Sequence, residues 1–494
     1  MTTAPIHLET TALPRIDRVP VPQYDRATVT AGIVHIGVGG FHRAHMAMAI
    51  DTLLRRGEAR EWGICGVGLL PADVGMRDVM TDQDCLYTLM LKHPDGAREA
   101  RVIGSIVEYL FAPDSPEAVV ERMTDPAIRI VSLTITEGGY NVDRVTGEFV
   151  ETTPAVQADL APDAVPTTVF GLVTEALRRR RERGIAPFTV QSCDNIQGNG
   201  DVAKRMFSAF AALRDPELGA WVREQVAFPN SMVDRITPVT TDADRAEVAE
   251  RFGIADAWPV VAEPFFQWVI EDGFPAGRPP YEYADAQLVE DVEPYELMKL
   301  RLLNASHQAL AYFGYLMGYR FAHEATADES IVALLRRYMA EEATPTLEPV
   351  PGVDLARYRE TLIERFQNPA IGDSLARLAA YTSDRIPVFL LPVVRANLEH
   401  GRPVALSAAI VASWARYAEA VDEEGEPIEV VDYAAAQLTA LAREEHEHPG
   451  AFVRNAVFFG RLADDPRFLT PYSSALDRLH SVGARATLDA VLRD

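Results

Sequence analysis

The stretch IVHIGVGGFHRAH, residues 33–45, decides how the first half of this chain folds. The apolar run Ile33-Val34-His35-Ile36 stops at Gly37, and Gly39 follows two residues later. That pattern predicts a strand, a tight turn and the start of a helix, the arrangement that lets a pyrophosphate approach backbone N–H groups. A dinucleotide fingerprint asks for a third glycine at position 42. His42 stands there instead, followed by Arg43 and then His45. Tight turns without a ligand use the same glycine pair, so the loop needs its context. It follows the first strand and opens a helix, where a Rossmann domain places its cofactor.

Around that loop, short β-branched runs alternate with helical patterns over roughly the first 290 residues. Strands are expected at 33–36, 62–67, 129–135 and 188–193, and helices at 43–57, 115–123 and 166–183. The alternation predicts an α/β domain with a mostly parallel sheet and helices on both faces. The segments NSMVDRITPV and PVVAEPFFQWVI read as further strands extending that sheet. Near residue 290 the texture changes. YELMKLRLLNASHQALAYFGYLMGYRFAHEA is a long helical pattern, and most of the chain beyond it is helical too. Two domains are therefore expected, an N-terminal Rossmann-type domain over 1–288 and a mostly α-helical one over 289–494.

Composition narrows the function classes. Hydrophobic residues make up 48% and charged residues 24%, as in an ordinary globular enzyme. A formal net charge of −25 argues against nucleic acid and against an anionic membrane surface. Cys65, Cys85 and Cys193 are too few and too scattered for a zinc site or a disulfide framework. The first twenty residues hold no apolar targeting core, and no apolar run is long enough to span a bilayer. A cytoplasmic protein is expected.

Other residues carry candidate chemistry. Asp73, after the strand WGICGV, can accept from an adenosine ribose, although it lies further from Gly37 than the usual ~20 residues; alone, it reads first as an ordinary loop carboxylate. Arg43 reads as a phosphate contact or a packing group. His42 and His45 share a helix face but have no nearby acidic or thiol partner, and EEHEHPG (444–450) reads as a solvated helix end, so no metal site is expected. In EPYELMKLRLLNASH, Glu296, Lys299, Asn304 and His307 fall on one helix face. With Lys299 at zero, Glu296 lies near ~60°, His307 near ~80° and Asn304 near ~140°. A polar stripe among leucines is costly to bury unless it is satisfied or used. A lysine can be a base once burial lowers its pKa, and asparagine amides can steady an alkoxide. Asn195 closes the strand run FTVQSCDN, at the edge where open α/β sheets bind ligands; an Asx turn or helix cap is its alternative.

GVGGFHRAH together with Lys299, Asn304 and His307 in K-x4-N-x2-H resembles the polyol-specific long-chain dehydrogenases, especially those acting on mannitol. SLTITEGGY, SCDN, PNSMVDRITP, AWPVVAEPF and GYRFAHE carry the resemblance along essentially the whole chain. It implies NAD bound by the N-terminal domain through Gly37, Gly39, Gly40, Phe41, Arg43 and Asp73, a helical domain closing the site, and no metal. It implies Lys299 as general base, Asn195 and Asn304 as oxyanion donors, His307 orienting a hydroxyl and Glu296 passing the proton to solvent. Asp234 and Arg377 match positions that contact polyol hydroxyls, and Arg385 stands where some of these enzymes carry lysine. Ala72 stands where some relatives carry a second acid, which implies weaker discrimination against NADP. The expected reaction is NAD-dependent interconversion of D-mannitol and D-fructose, with D-arabinitol and D-sorbitol as further substrates. A reductase of fructuronate or tagaturonate is the alternative within the fold. An S-adenosylmethionine-dependent methyltransferase is a remote one, since Lys299 has no role there. The partners expected are small polyols and ketoses.

Overall fold

The computed structural model describes residues 4–143 and 146–493. Two compact units divide the chain, the first ending at Glu293 and the second beginning at Pro294. The strand Ala286–Val289 belongs to the first unit because it pairs in parallel with Gln267–Glu271.

A five-stranded parallel sheet forms the centre of the first unit. Its order across the sheet is Ile106–Phe111, Gly63–Gly68, Ala31–Ile36, Ile130–Leu133 and Thr189–Ser192. The last four are buried throughout, as a sheet covered on both faces requires. Alternating side chains serve two cores. Val34, Ile36, Val131 and Leu133 pack with Phe170 and Phe207 of the helices Val169–Glu182 and Asn199–Arg214. Ile33, Ile64 and Ile130 pack with Ile50 and Leu53 of the helix Met46–Arg55. Strand order reverses between Ala31–Ile36 and Ile130–Leu133, the switch point at which doubly wound sheets bind ligands.

The two segments expected to extend this sheet are strands, but they pair elsewhere. Ser231–Asp234 joins Gln267–Glu271 and Ala286–Val289 in one small sheet. Val260–Ala262 joins Tyr87–Lys92 and Arg98–Ile103 in another. Next to the central sheet, the Asn199 amide takes both backbone groups of Ser231, accepting from its N–H at 2.9 Å and donating to its carbonyl at 2.8 Å. A side chain thus satisfies groups that a neighbouring strand would otherwise pair.

The helix expected at 43–57 is two helices, Gly40–Ala44 and Met46–Arg55. His45 breaks them at φ −119, ψ −94, with its ring against Phe41 and Phe266 at 4.8 and 4.6 Å. The place of the third fingerprint glycine, which normally lets helix and strand pack closely, is taken by a stacked pair. His42 is 1% exposed and its ring lies on His35 of the central strand, with centroids 3.3 Å apart and planes 12° apart. His35 is anchored through Nδ1 to the Ser132 hydroxyl at 2.7 Å and through Nε2 to that of Thr134 at 3.0 Å.

The second unit is helical. A continuous run contains Glu293–Met298, a π-helical turn Lys299–Asn304 and Ala305–Leu316. The longer pattern read from sequence stops there, because Gly318 turns the chain at φ +93 before the short helix Ala322–Ala325. At the unit's centre is Ala405–Ala418, whose Trp414 packs edge-on against Phe452 at 4.9 Å. No side chain at Val404 caps this helix; buried Glu342 does so from a distance, accepting from Leu406 N and Ser407 N at 2.8 and 2.9 Å. Among the described residues, no helix is long and apolar enough to cross a membrane.

Burial holds both stacked imidazoles neutral, pushing His35 down to about 3 and His42 well below the usual range, with His35, Arg43 and His45 adding to the effect on His42. In the unfolded chain such rings take a proton near ~6.5. Below that pH the unfolded state binds more protons, so folding stability falls as pH drops from about 6.5 towards 3, by roughly 1 kcal/mol per pH unit for each ring. Urea titrations across this range should show that acid limb, and His42→Phe should make it shallower. An unchanged limb in the variant would contradict the neutral stack.

Candidate active site

At the switch point the backbone itself is the first constraint. Gly37 has φ +98, and a Cβ there would stand 2.1 Å from the Thr134 carbonyl oxygen. The Thr134 hydroxyl donates to the Gly37 carbonyl at 2.6 Å, tying the loop after Ala31–Ile36 to the end of Ile130–Leu133. Gly39 is the opposite case, exposed and with open space where its Cβ would lie. Gly40 has only the Thr237 methyl near that position, at 3.5 Å. Gly37 therefore makes the turn, while Gly39 leaves backbone open to a close ligand, which suits the phosphates of a dinucleotide. Phe41 beside them is half-buried.

Arg43 is not a phosphate contact. It is 1% exposed, donates to the Trp258 carbonyl at 2.5 Å and lies over the Tyr87 ring at 5.2 Å. Burial lowers its pKa, with Tyr87 and Asp256 opposing the shift. A buried guanidinium with these partners packs the fold. Asp73 ends a short turn after Gly63–Gly68, and its Oδ2 accepts from Leu69 N and Leu70 N at 2.9 and 2.8 Å. Oδ1 makes no hydrogen bond among the described residues, so one carboxylate oxygen stays available for a ribose hydroxyl.

Asn195 is exposed just beyond the carboxyl end of Thr189–Ser192. Its neighbour Asp194, quoted within SCDN but given no role by sequence reasoning, organises this edge. Asp194 is 6% exposed and accepts from Thr136 N at 2.7 Å, Ile135 N at 3.1 Å and the Tyr140 hydroxyl at 2.7 Å. Thr136 sits at φ +64, ψ 169, a region costly for a β-branched residue, so Asp194 holds a strained loop. Burial pushes the Asp194 carboxyl up to about 6, against the three hydrogen bonds that favour its charged form. The sequence signal was an aspartate closing a buried strand; what it reaches is visible only in the fold. Asp234 ends the strand Ser231–Asp234 and is 4% exposed.

In the second unit, Glu296 and Lys299 are buried, at 6% and 7% exposure, whereas Asn304 and His307 are half-buried. Asn304 Oδ1 is itself buried without a hydrogen-bond partner, a cost that a ligand donor could remove. Between Lys299 and Asn304 the helix widens, with Ala305 N donating to the Leu300 carbonyl five residues back. Angles counted on a uniform α-helix therefore do not hold across this turn. The four polar residues do lie on one continuous helical run, and π turns of this kind recur at functional sites. The ring of His307 packs on Phe366 at 4.9 Å.

Arg377 and Arg385 come together through backbone. The Arg377 guanidinium pairs two-pronged with Asp373 at 2.8 Å for both bonds. Arg385 donates to the carbonyls of Arg377 and Leu378 at 3.3 and 3.2 Å.

Comparison with known proteins defines the class. The mannitol dehydrogenase Rossmann domain family matches residues 31–283 and the mannitol dehydrogenase C-terminal domain family matches residues 291–480. The chain belongs to the mannitol dehydrogenase family. It is 45% identical over 489 residues to a mannitol 2-dehydrogenase of Phaeosphaeria nodorum, covering 98% of this chain and 85% of that one. A mannitol 2-dehydrogenase of Aspergillus fumigatus is 46% identical over 477 residues, 95% of each chain. Among solved structures, the Pseudomonas fluorescens mannitol 2-dehydrogenase in ternary complex with NAD and D-mannitol superposes with a TM-score of 0.90 at 44% identity, covering 99% of this chain and 100% of that one. A D-sorbitol dehydrogenase in substrate-free form gives 0.90 at 39% identity, covering 98% and 100%.

Replacing the Asp194 carboxylate by an amide puts an N–H against donors it now accepts from. Asp194→Asn should lower stability to urea by about 1–3 kcal/mol and speed hydrogen exchange at the Ile135 and Thr136 amides. Unchanged exchange at those two amides would show that Asp194 does not hold the loop.

Proposed function

We propose that this enzyme interconverts D-mannitol and D-fructose with NAD as its redox partner. Lys299 carries the reading: a buried lysine on the same helical run as Glu296 and Asn304, in a family whose relatives are mannitol 2-dehydrogenases. When bound, NAD would supply the hydride acceptor for alcohol oxidation and, in its reduced form, the hydride donor for ketone reduction. Gly37, Gly39, Gly40 and Phe41 would hold its phosphates, and Asp73 would accept from the adenosine ribose.

The remaining work falls to this chain's side chains. Lys299 as neutral amine removes the hydroxyl proton in oxidation, and as ammonium restores it in reduction. Asn195 and Asn304 donate amide N–H groups to the oxygen on which charge develops. His307 orients a neighbouring hydroxyl, and Glu296 passes the proton onward to solvent. Asp234 accepts from the polyol chain, while Arg377 and Arg385 donate to its far hydroxyls. Lys299 takes the base role that a metal-bound hydroxide would otherwise fill, so no metal is required in this scheme. Three free, buried cysteines suit a reducing cytoplasm.

Oxidation of D-sorbitol is the second reading, favoured by the likeness to a D-sorbitol dehydrogenase. Initial rates decide between them. Mannitol with NAD and fructose with NADH should give the highest kcat/KM in a panel that also holds sorbitol, arabinitol and fructuronate, each with both nicotinamide cofactors. Prolonged EDTA treatment should leave these rates intact. Faster turnover of fructuronate than of fructose would replace the proposal with a uronate reductase, and loss on chelation restored by zinc would overturn the lysine mechanism.

A further inference from the structure

Far from the residues given catalytic roles in sequence, three side chains from separate segments of the second unit converge. Glu419 follows the helix Ala405–Ala418, His446 follows Ala435–Glu444, and His480 lies within Pro466–Arg493. One ligand atom from each lies within 4.8 Å of the other two. The His480 Nε2 is 2.6 Å from Glu419 Oε1, the His446 Nε2 is 3.8 Å from Glu419 Oε2, and the two imidazole rings stand 4.5 Å apart. Among the described residues this is the one such group of metal-ligating side chains.

We propose that Glu419, His446 and His480 form a site for a zinc-class divalent ion. Two imidazoles and one carboxylate are a ligand set that Zn²⁺ takes, with water completing the tetrahedron. Bond lengths of about 2.0–2.1 Å place ligand atoms about 3.4 Å apart, so the observed spacings need side-chain adjustments of about 1 Å. The carboxylate is nearly buried while His446 is about half exposed, which gives an ion both a fixed anchor and an entry path. Arg416 donates to Glu419 Oε2 at 3.2 Å, and Arg443 holds the Glu419 carbonyl at 3.1 and 3.2 Å. These contacts orient the carboxylate and leave Oε1 facing His480, the part that outer groups play around metal ligands. They also place positive charge nearby, so the site favours an ion with strong imidazole affinity over Mg²⁺ or Ca²⁺. Neighbouring Glu445 is not a ligand, since its carboxylate accepts from Gly450 N, Phe452 N and the Tyr472 hydroxyl. An ion here would tie three helical segments together, and it would take no part in the polyol reaction.

The sequence shows only half of this. EEHEHPG reads as a solvated helix end, and His446 is indeed 54% exposed there; Glu419 and His480 reach it only through folding. Calorimetric titration of the full, untagged chain with Zn²⁺ near neutral pH tests the proposal, with Mg²⁺ as comparator. One Zn²⁺ per chain should bind, thermal unfolding should shift upward, and the polyol rate should not change. His446→Ala, a substitution at an exposed position, should abolish both binding and thermal shift, and His480→Ala should do the same. Co²⁺ in place of Zn²⁺ should give the visible absorption of a four-coordinate site, lost in the same variants. Absence of binding in the wild type, or equal binding in both alanine variants, would overturn the site.

Discussion

The approach of Gly37 to Thr134 is the constraint on which the first unit depends. With a Cβ position only 2.1 Å from the Thr134 carbonyl, no other residue fits there without moving one strand end from the other. The Thr134 hydroxyl then fixes the same contact from the opposite side, at 2.6 Å. Two neighbouring parallel strands thereby end together at the point where the sheet order reverses. Gly39 is left open above them, and Asp194 ties down the next loop along the edge through Ile135, Thr136 and Tyr140. A rigid sheet edge with open backbone is what hydride chemistry needs from a dinucleotide domain.

His42 shows how a fingerprint position can lose its glycine and still be packed against the central strand. The glycine's usual purpose is close helix–strand contact; here two flat rings stacked at 3.3 Å fill that interface instead. Both rings must stay uncharged, and burial favours that state. Arg43, next in sequence, illustrates a limit of reading charge from a motif. Its position at a helix start suggests an anion, yet the chain carries it into the interior beneath Tyr87.

Much of the fold was legible because its signals are local. Ile33 to Ile36, Gly63 to Val67 and Val190 to Ser192 are short buried runs bounded by turn residues, and such runs declare themselves in one sequence. Pairing is not local: Ser231–Asp234, expected to extend the central sheet, pairs with Gln267–Glu271, while the Asn199 side chain, 32 positions away, takes both backbone groups of Ser231. In the second unit, Glu296, Lys299, Asn304 and His307 were legible as a polar set within an apolar helix. The π turn between Lys299 and Asn304 was not, because no residue type marks it. The same holds for Glu342, whose capping of a helix some sixty residues further on has no sequence signature.

The chemistry rests on Lys299 acting as the proton-transfer group, and the pH dependence of one variant tests that most directly. Mannitol oxidation by the wild type should rise with pH as the ammonium loses its proton, and fructose reduction should fall over the same interval. Lys299→Ala should cost on the order of 10²–10⁴ in both directions, flatten the two profiles, bind NADH as before and regain part of its oxidation rate with added primary amines. A variant that kept wild-type oxidation rates and the wild-type pH profile would show that the proton leaves by another route.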